Sequence, residues 1–197
     1  MMRVWAKDEP FGAELAELTL DRGTLWATGV AVGSEPCPYR LDYQLTTSQR
    51  YVTAELVVRT AGPNWRRRLV LERAASGVWA CTTEATGDLD RPAPGGDLGP
   101  LTGALDCDLG LSPLTNSMPV LRHRLIEGGG PVDFLMAWVS VPDLAVYPSR
   151  QRYTFVRREA KARIVRFETL DSDFVADIAF DEQGVVLDYP GIARRAA

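Results

Sequence analysis

The chain has 197 residues, of which 46% are hydrophobic and 24% charged, a composition that suits a packed core and excludes wholesale disorder. Its formal charge of −4 weighs against nucleic acid as the main partner. No run of about 18 uncharged apolar residues occurs, which excludes a membrane-spanning helix, and nothing near the amino terminus reads as a secretion signal.

Three cysteines, Cys37, Cys81 and Cys107, are odd in number and far apart. They are expected to be reduced, buried side chains, with neither a disulfide framework nor a metal site, and the expected compartment is cytoplasmic. A compact fold of this mass buries about 70% of its unfolded surface, so one domain over residues 1–197 is expected.

Residues 10–20 contain good helix formers, and a short helix or an opening strand both fit. Residues 24–32 are apolar-rich and end at Gly33. Residues 39–45 alternate apolar and polar, the two-residue period of a half-buried strand. Residues 51–58 and 65–72 continue the pattern across a turn at 61–64, and 78–82 follow Ser76 and Gly77. These segments predict a meander of strands. Prolines and glycines then punctuate residues 87–103, predicting a loop inserted at a sheet edge or mouth.

Beyond the loop, Ser112 and Pro113 suit the start of a helical turn that Pro119 cuts short. Strands are predicted over 120–126 and 132–141, joined by a Gly-rich hairpin at 127–131. Further strands are predicted over 151–157, 163–169, 174–180 and 185–189, with a turn at 181–184. No helical crossovers separate them, so the fold class is mainly β: an antiparallel, strongly curved sheet or incompletely closed barrel with few short helices.

Familiar catalytic signatures are missing: there is no GxSxG elbow, HExxH or phosphate-binding loop, and no cofactor is expected. The lone histidine, His123, falls in an Arg-rich predicted strand and reads as a surface group. Asp106 and Asp108 flank Cys107 and share one face of any strand. They suit a cation or an acid/base pair, or simply accept hydrogen bonds from backbone or arginine. The basic words at 65–68 and 157–166 read as solvated strand faces paired with Glu72, Glu159 and Glu168. Residues 134–139 are apolar on both faces, as in a core strand or the wall of a lipophilic cavity.

Several words resemble a bacterial family described as "putative glycolipid-binding", formerly a domain of unknown function. They are residues 103–109, residues 112–120, Arg122, residues 141–144, Gln151-Arg152-Tyr153 and residues 188–191; Trp26, Gly29 and residues 39–43 fit less distinctively. The chain departs at Leu114, where an aromatic is usual. The resemblance implies an incompletely closed antiparallel barrel akin to carriers of bacterial lipoproteins and glycolipids.

On that basis the expected function is binding of an amphipathic small molecule in a barrel cavity with a polar mouth that takes a sugar or anionic head. Trp26, Tyr43, Phe134, Met136, Trp138 and Phe155 are expected wall residues. Asp106, Asp108, Asn116, Arg122, Gln151, Arg152 and Tyr153 are the expected polar groups, and Asp108, Asn116, Arg122, Arg152 and Tyr153 are expected to cluster. The alternatives are a small hydrolase using Asp106 and Asp108, and a homo-oligomer joined through the apolar strands.

Overall fold

The computed structural model describes residues 1–7 and 9–196. Its first half is a meander of seven strands: β1 (Met2–Lys7), β2 (Gly12–Asp21), β3 (Thr24–Gly33), β4 (Tyr39–Thr47), β5 (Thr53–Ala61), β6 (Trp65–Arg73) and β7 (Trp79–Gly87). Its second half contains β8 (Asp106–Leu109), helix α1 (Ser117–Arg122), β9 (Val132–Val139) and β10 (Val146–Arg158). β11 (Arg163–Thr169), β12 (Val175–Phe180), β13 (Val186–Tyr189) and β14 (Ala193–Arg195) complete the chain.

All 14 strands belong to one open sheet in the order β7-β6-β5-β4-β3-β2-β1-β14-β13-β12-β11-β10-β9-β8. The first and last strands therefore pair at its centre, and β7 and β8 are its edges. Every named pairing is antiparallel except β8 with β9. Residues 88–105 connect the two edges and lace the halves together. Gly95 bridges Ala145, and the backbone N–H of Thr53 donates to the carbonyl of Leu105 at 3.0 Å. The Arg67 guanidinium donates to the carbonyls of Leu89 and Pro92 in this loop and of Asp143 beyond β9. A buried cation thus satisfies carbonyls that no ladder reaches.

Strand alternation sets the inner and outer faces. On β2, Gly12, Glu14, Ala16 and Leu18 are buried while Leu15, Glu17 and Thr19 are exposed. Leu18, Leu25, Leu45, Leu56, Leu69 and Leu71 fill the inner face of the first half. Each removes an apolar side chain from water, worth about 1.5–3 kcal/mol relative to exposure. Gly29 stands opposite Tyr43, and a Cβ there would sit 2.3 Å from the tyrosine ring, so only glycine admits that ring.

α1 lies within the concavity. Its Met118 packs in the core of the first half and its Val120 in that of the second. Pro119 is its third residue, where the missing N–H would have had no helical partner. Arg124, at φ 53°, ends the helix in the left-handed region. The N–H groups of Leu125 and Arg124 return to the carbonyls of Val120 and Leu121, a Schellman closure.

Several expectations need correction. Residues 120–126 are helix and turn rather than strand, so Arg122 ends α1, His123 caps it, and residues 127–131 close no hairpin. Of the two readings left open for residues 10–20, the strand is the one observed. β7 runs to Gly87, so the loop begins at residue 88. Cys107 is buried, whereas Cys37 and Cys81 are only half-buried.

Candidate functional site

One end of the sheet gathers the segment after β8, the turns after β11 and β13 and the segment between β9 and β10. There the inner face opens into a cleft of about 600 Å³, within the range of small-ligand sites. Trp138 of β9 and Tyr147 of β10 stand opposite one another in register, with ring centroids 5.9 Å apart. Phe167 of β11, Phe174 of the following turn and Tyr189 of β13 form a second aromatic group, with centroid separations of 5.9, 5.9 and 6.3 Å.

Between the rings lies a polar floor. The Asp108 carboxylate accepts from Thr115 Oγ1 at 2.9 Å and from Gln151 Nε2 at 2.7 Å. Beneath it, the buried Tyr153 hydroxyl donates to Asn116 Oδ1 at 2.8 Å and lies 3.2 Å from Gln151 Oε1. Burial raises the Asp108 carboxyl above its ordinary range, opposed by the hydrogen bonds from Gln151 and Thr115. Burial, followed by the field of Asp108, also raises the Tyr153 and Tyr189 hydroxyls. Asp171 stands on the rim, where its Oδ2 accepts the backbone N–H of Arg150 at 2.7 Å.

A second buried network braces one wall. Ser112, which lines the cleft, donates to Glu14 Oε1 at 2.7 Å, and the Tyr43 hydroxyl donates to the same oxygen at 2.9 Å. Lys7 Nζ lies 3.6 Å from Glu14 Oε2, with both side chains buried. Burial lowers the Lys7 ammonium value, with Glu14 opposing it, and burial pushes Tyr39 up to about 12 with Glu14 adding to the rise. A buried carboxylate is tolerated where a cation and two hydroxyl donors face it. It fixes the 110–113 segment to β2.

The model of the family described as "Putative glycolipid-binding" matches residues 2–195. The chain belongs to that family. It is also similar to the crystal structure of a DUF1089 family protein from Pseudomonas aeruginosa, with 30% identity and a TM-score of 0.69 over 93% of this chain and 92% of that one. No curated protein matches. Membership supports binding of a lipid-like ligand in general terms, and among the described residues no helix is long and apolar enough to cross a membrane.

The family resemblance covers the cleft, yet the expected site residues divide. Asp108, Asn116, Trp138 and Gln151 line the cleft, and Tyr153 supports its floor from below. Phe134 and Met136 lie deeper along β9: Phe134 meets His123 and Tyr153 edge-on, and Met136 is buried in the core. Phe155 lies further along β10, outside the cleft lining. Trp26 is on the outer face, 40% exposed, because its position on β3 has the parity of Thr28 and Val30. Tyr43 faces inward but serves Glu14.

The expected arginines are also elsewhere. Arg122 pairs with Asp106, with both side chains buried away from the cleft lining. Burial outweighs Arg122 and pushes the Asp106 carboxyl up to about 6. Arg152 points outward from β10 and clamps Asp133 through two hydrogen bonds. The predicted five-residue cluster therefore contains Asp108, Asn116 and Tyr153, with Arg122 on a separate ion pair and Arg152 on the opposite face. An anionic head would meet neither arginine in the cleft.

The hydrolase alternative gains no support, since both Asp108 oxygens accept protein hydrogen bonds and Asp106 is committed to Arg122. Among the described residues, no three His, Cys, Asp or Glu side chains gather as metal ligands. Lys7, Glu14, Tyr147, Phe167 and Phe174 are not singled out in the sequence, and Ser112 and Tyr189 enter there only within family-like words, not as site groups. Glu14 alone had a readable signal, its parity with Ala16 and Leu18 on an otherwise apolar strand face.

Proposed function

We propose that the chain binds an amphipathic molecule in this cleft, with the polar head between the aromatic groups and over Asp108, Asn116 and Gln151. The carrying observation is the facing of aromatic rings and an amide–carboxylate floor inside one concavity. Ring faces pack against the C–H faces of a sugar, while amides and carboxylates exchange hydrogen bonds with its hydroxyls. Leu109, Leu111, Val141 and Ile192 supply apolar wall for the adjoining chain. Family membership supports the lipid-like character of the ligand.

Calorimetric titration with decyl maltoside, kept below its micelle concentration, tests this reading. Saturable binding of about one molecule per chain is expected for a single cleft of this size. An absence of saturable binding by decyl maltoside and by other head groups on the same chain would overturn it.

A further inference from the structure

The charge of the cleft differs from that of the chain as a whole. The chain carries 22 Lys and Arg residues, yet none of them, and not His123, lines the cleft. Among the described residues, its carboxylic acids are Asp108 on the floor and Asp171 on the rim. Of the nearby cations, Lys7 is engaged with Glu14, Arg122 with Asp106, and Arg152 on the outer face with Asp133, while Arg150, of the same parity as Arg152, adjoins Asp171 from outside the lining. A negatively charged head placed here would meet two carboxyl groups and no cation of the lining. That arrangement disfavours phosphate, sulfate and carboxylate heads.

The aromatic groups add an attraction of the opposite sign. Aromatic faces carry partial negative charge and attract cations that approach within about 6 Å of the ring centre. Phe167 meets Phe174 at 64° and Tyr189 at 61°, while Phe174 and Tyr189 meet at 49°. Rings inclined this steeply present their faces in several directions instead of stacking into a single wall. Trp138 and Tyr147 supply a further pair at 32° from the neighbouring strands. The rise of the Tyr189 hydroxyl, caused by burial and by Asp108, is consistent with a negative field at this place.

From the coincidence of five aromatic rings, two carboxyl groups and no lining cation, we infer that the cleft selects amphiphiles whose head carries an ammonium group, such as an amino sugar or a quaternary amine. The inference rests on the reading of the cleft as an amphiphile site and narrows its ligand class. Asp171 supplies charge at the entrance, the rings receive the partly desolvated ammonium, and Asn116 and Gln151 take any hydroxyls beside it.

Three ligands with the same decyl chain separate the contributions: decyltrimethylammonium, decyl maltoside and decyl sulfate, each titrated into the intact protein below its micelle concentration. Ammonium is expected to bind more tightly than maltoside, and sulfate more weakly than both. Phe174→Leu keeps apolar bulk on a 40% exposed side chain but removes the ring. It should reduce the ammonium-over-maltoside preference by about 2- to 30-fold. Asp171→Asn, at an exposed rim position, should reduce it by about 5-fold, and added salt should act in the same direction. Maltoside binding without an ammonium preference, or sulfate binding as tightly as ammonium, would overturn this inference and leave the amphiphile reading standing. Binding by none of the three would overturn both.

Discussion

Removing Arg122 should be far more damaging than removing Arg152, although both arginines contact an aspartate. The Arg122 and Asp106 side chains are 0% and 1% exposed, whereas those of Arg152 and Asp133 are 38% and 51% exposed. Arg122→Ala would leave the Asp106 carboxyl buried without its cation, a change that costs about 3–5 kcal/mol. In a domain of this length each kcal/mol moves the melting temperature by about 2–4 °C, so a fall of about 6–20 °C is expected. The loss should grow with pH. Asp106 already titrates at about 6 with Arg122 beside it, and removing the guanidinium pushes it higher still. Keeping the carboxyl protonated then costs about 1.4 kcal/mol for each further pH unit.

Arg152→Ala opens an exposed pair and should leave the melting temperature nearly unchanged. Scanning calorimetry of the two variants at pH 6 and pH 8 makes the comparison, and an Arg122→Met, Asp106→Leu double variant should recover much of the loss. Equal shifts for the two alanine variants, or a loss that shrinks as pH rises, would refute the burial argument.

Glu14→Gln preserves the shape that receives Tyr43 and Ser112 but leaves the buried Lys7 ammonium unbalanced. It should destabilise the protein by about 3–5 kcal/mol and speed amide exchange around residues 110–113, and normal stability in urea would contradict that role. Asp106 gives a signed pH effect, because its folded value of about 6 exceeds the ordinary carboxyl value of about 4. The folded state holds the extra proton between these values, so this group's contribution is full below about pH 4 and is lost as pH rises through about 6. The stability of the native chain minus that of Asp106→Asn should therefore fall across this window, and a rise would exclude the assignment.

Strand parity made most of the first half legible. Residues 39–45 place leucine and tyrosine on one face and Arg40, Asp42 and Gln44 on the other, and residues 65–72 place Leu69 and Leu71 opposite Arg66 and Arg68; the observed strands keep that division, with Arg67 the exception that is buried on the leucine face. The same rule failed at α1. Residues 120–125 run as two apolar, three polar and one apolar residue, too short a pattern to separate strand from helix, and there Asn116 and Ser117 initiate a helical segment that Arg124 terminates in the left-handed region. Short β14 carries little pattern of its own, and its place depends on β1, more than 180 residues earlier in the chain.

The candidate site was legible in part for the same reason. Asp108, Asn116 and Gln151 lie in words that resemble the family, Trp138 lies in the stretch read as apolar on both faces, and all four prove to share the cleft. Tyr147, Phe167, Phe174 and Tyr189 come from separate strands and turns, so only the assembled sheet brings their rings together. Arg152 failed through parity: the odd-numbered neighbours Gln151 and Tyr153 face inward, which directs Arg152 outward. Trp26 failed by the same rule on β3, where Leu25 and Ala27 take the inner face.

The most direct test of the amphiphile cleft is quenching of tryptophan emission by an alkyl maltoside brominated on its chain, measured below the micelle concentration. Five tryptophans report, but Trp138 alone lines the cleft, while Trp26 is exposed on the opposite face. The native chain should show saturable quenching that persists in Trp26→Phe and is largely lost in Trp138→Phe, while unbrominated decyl maltoside should compete it away. Quenching that survives in Trp138→Phe and disappears in Trp26→Phe would place the amphiphile on the outer face and contradict the account.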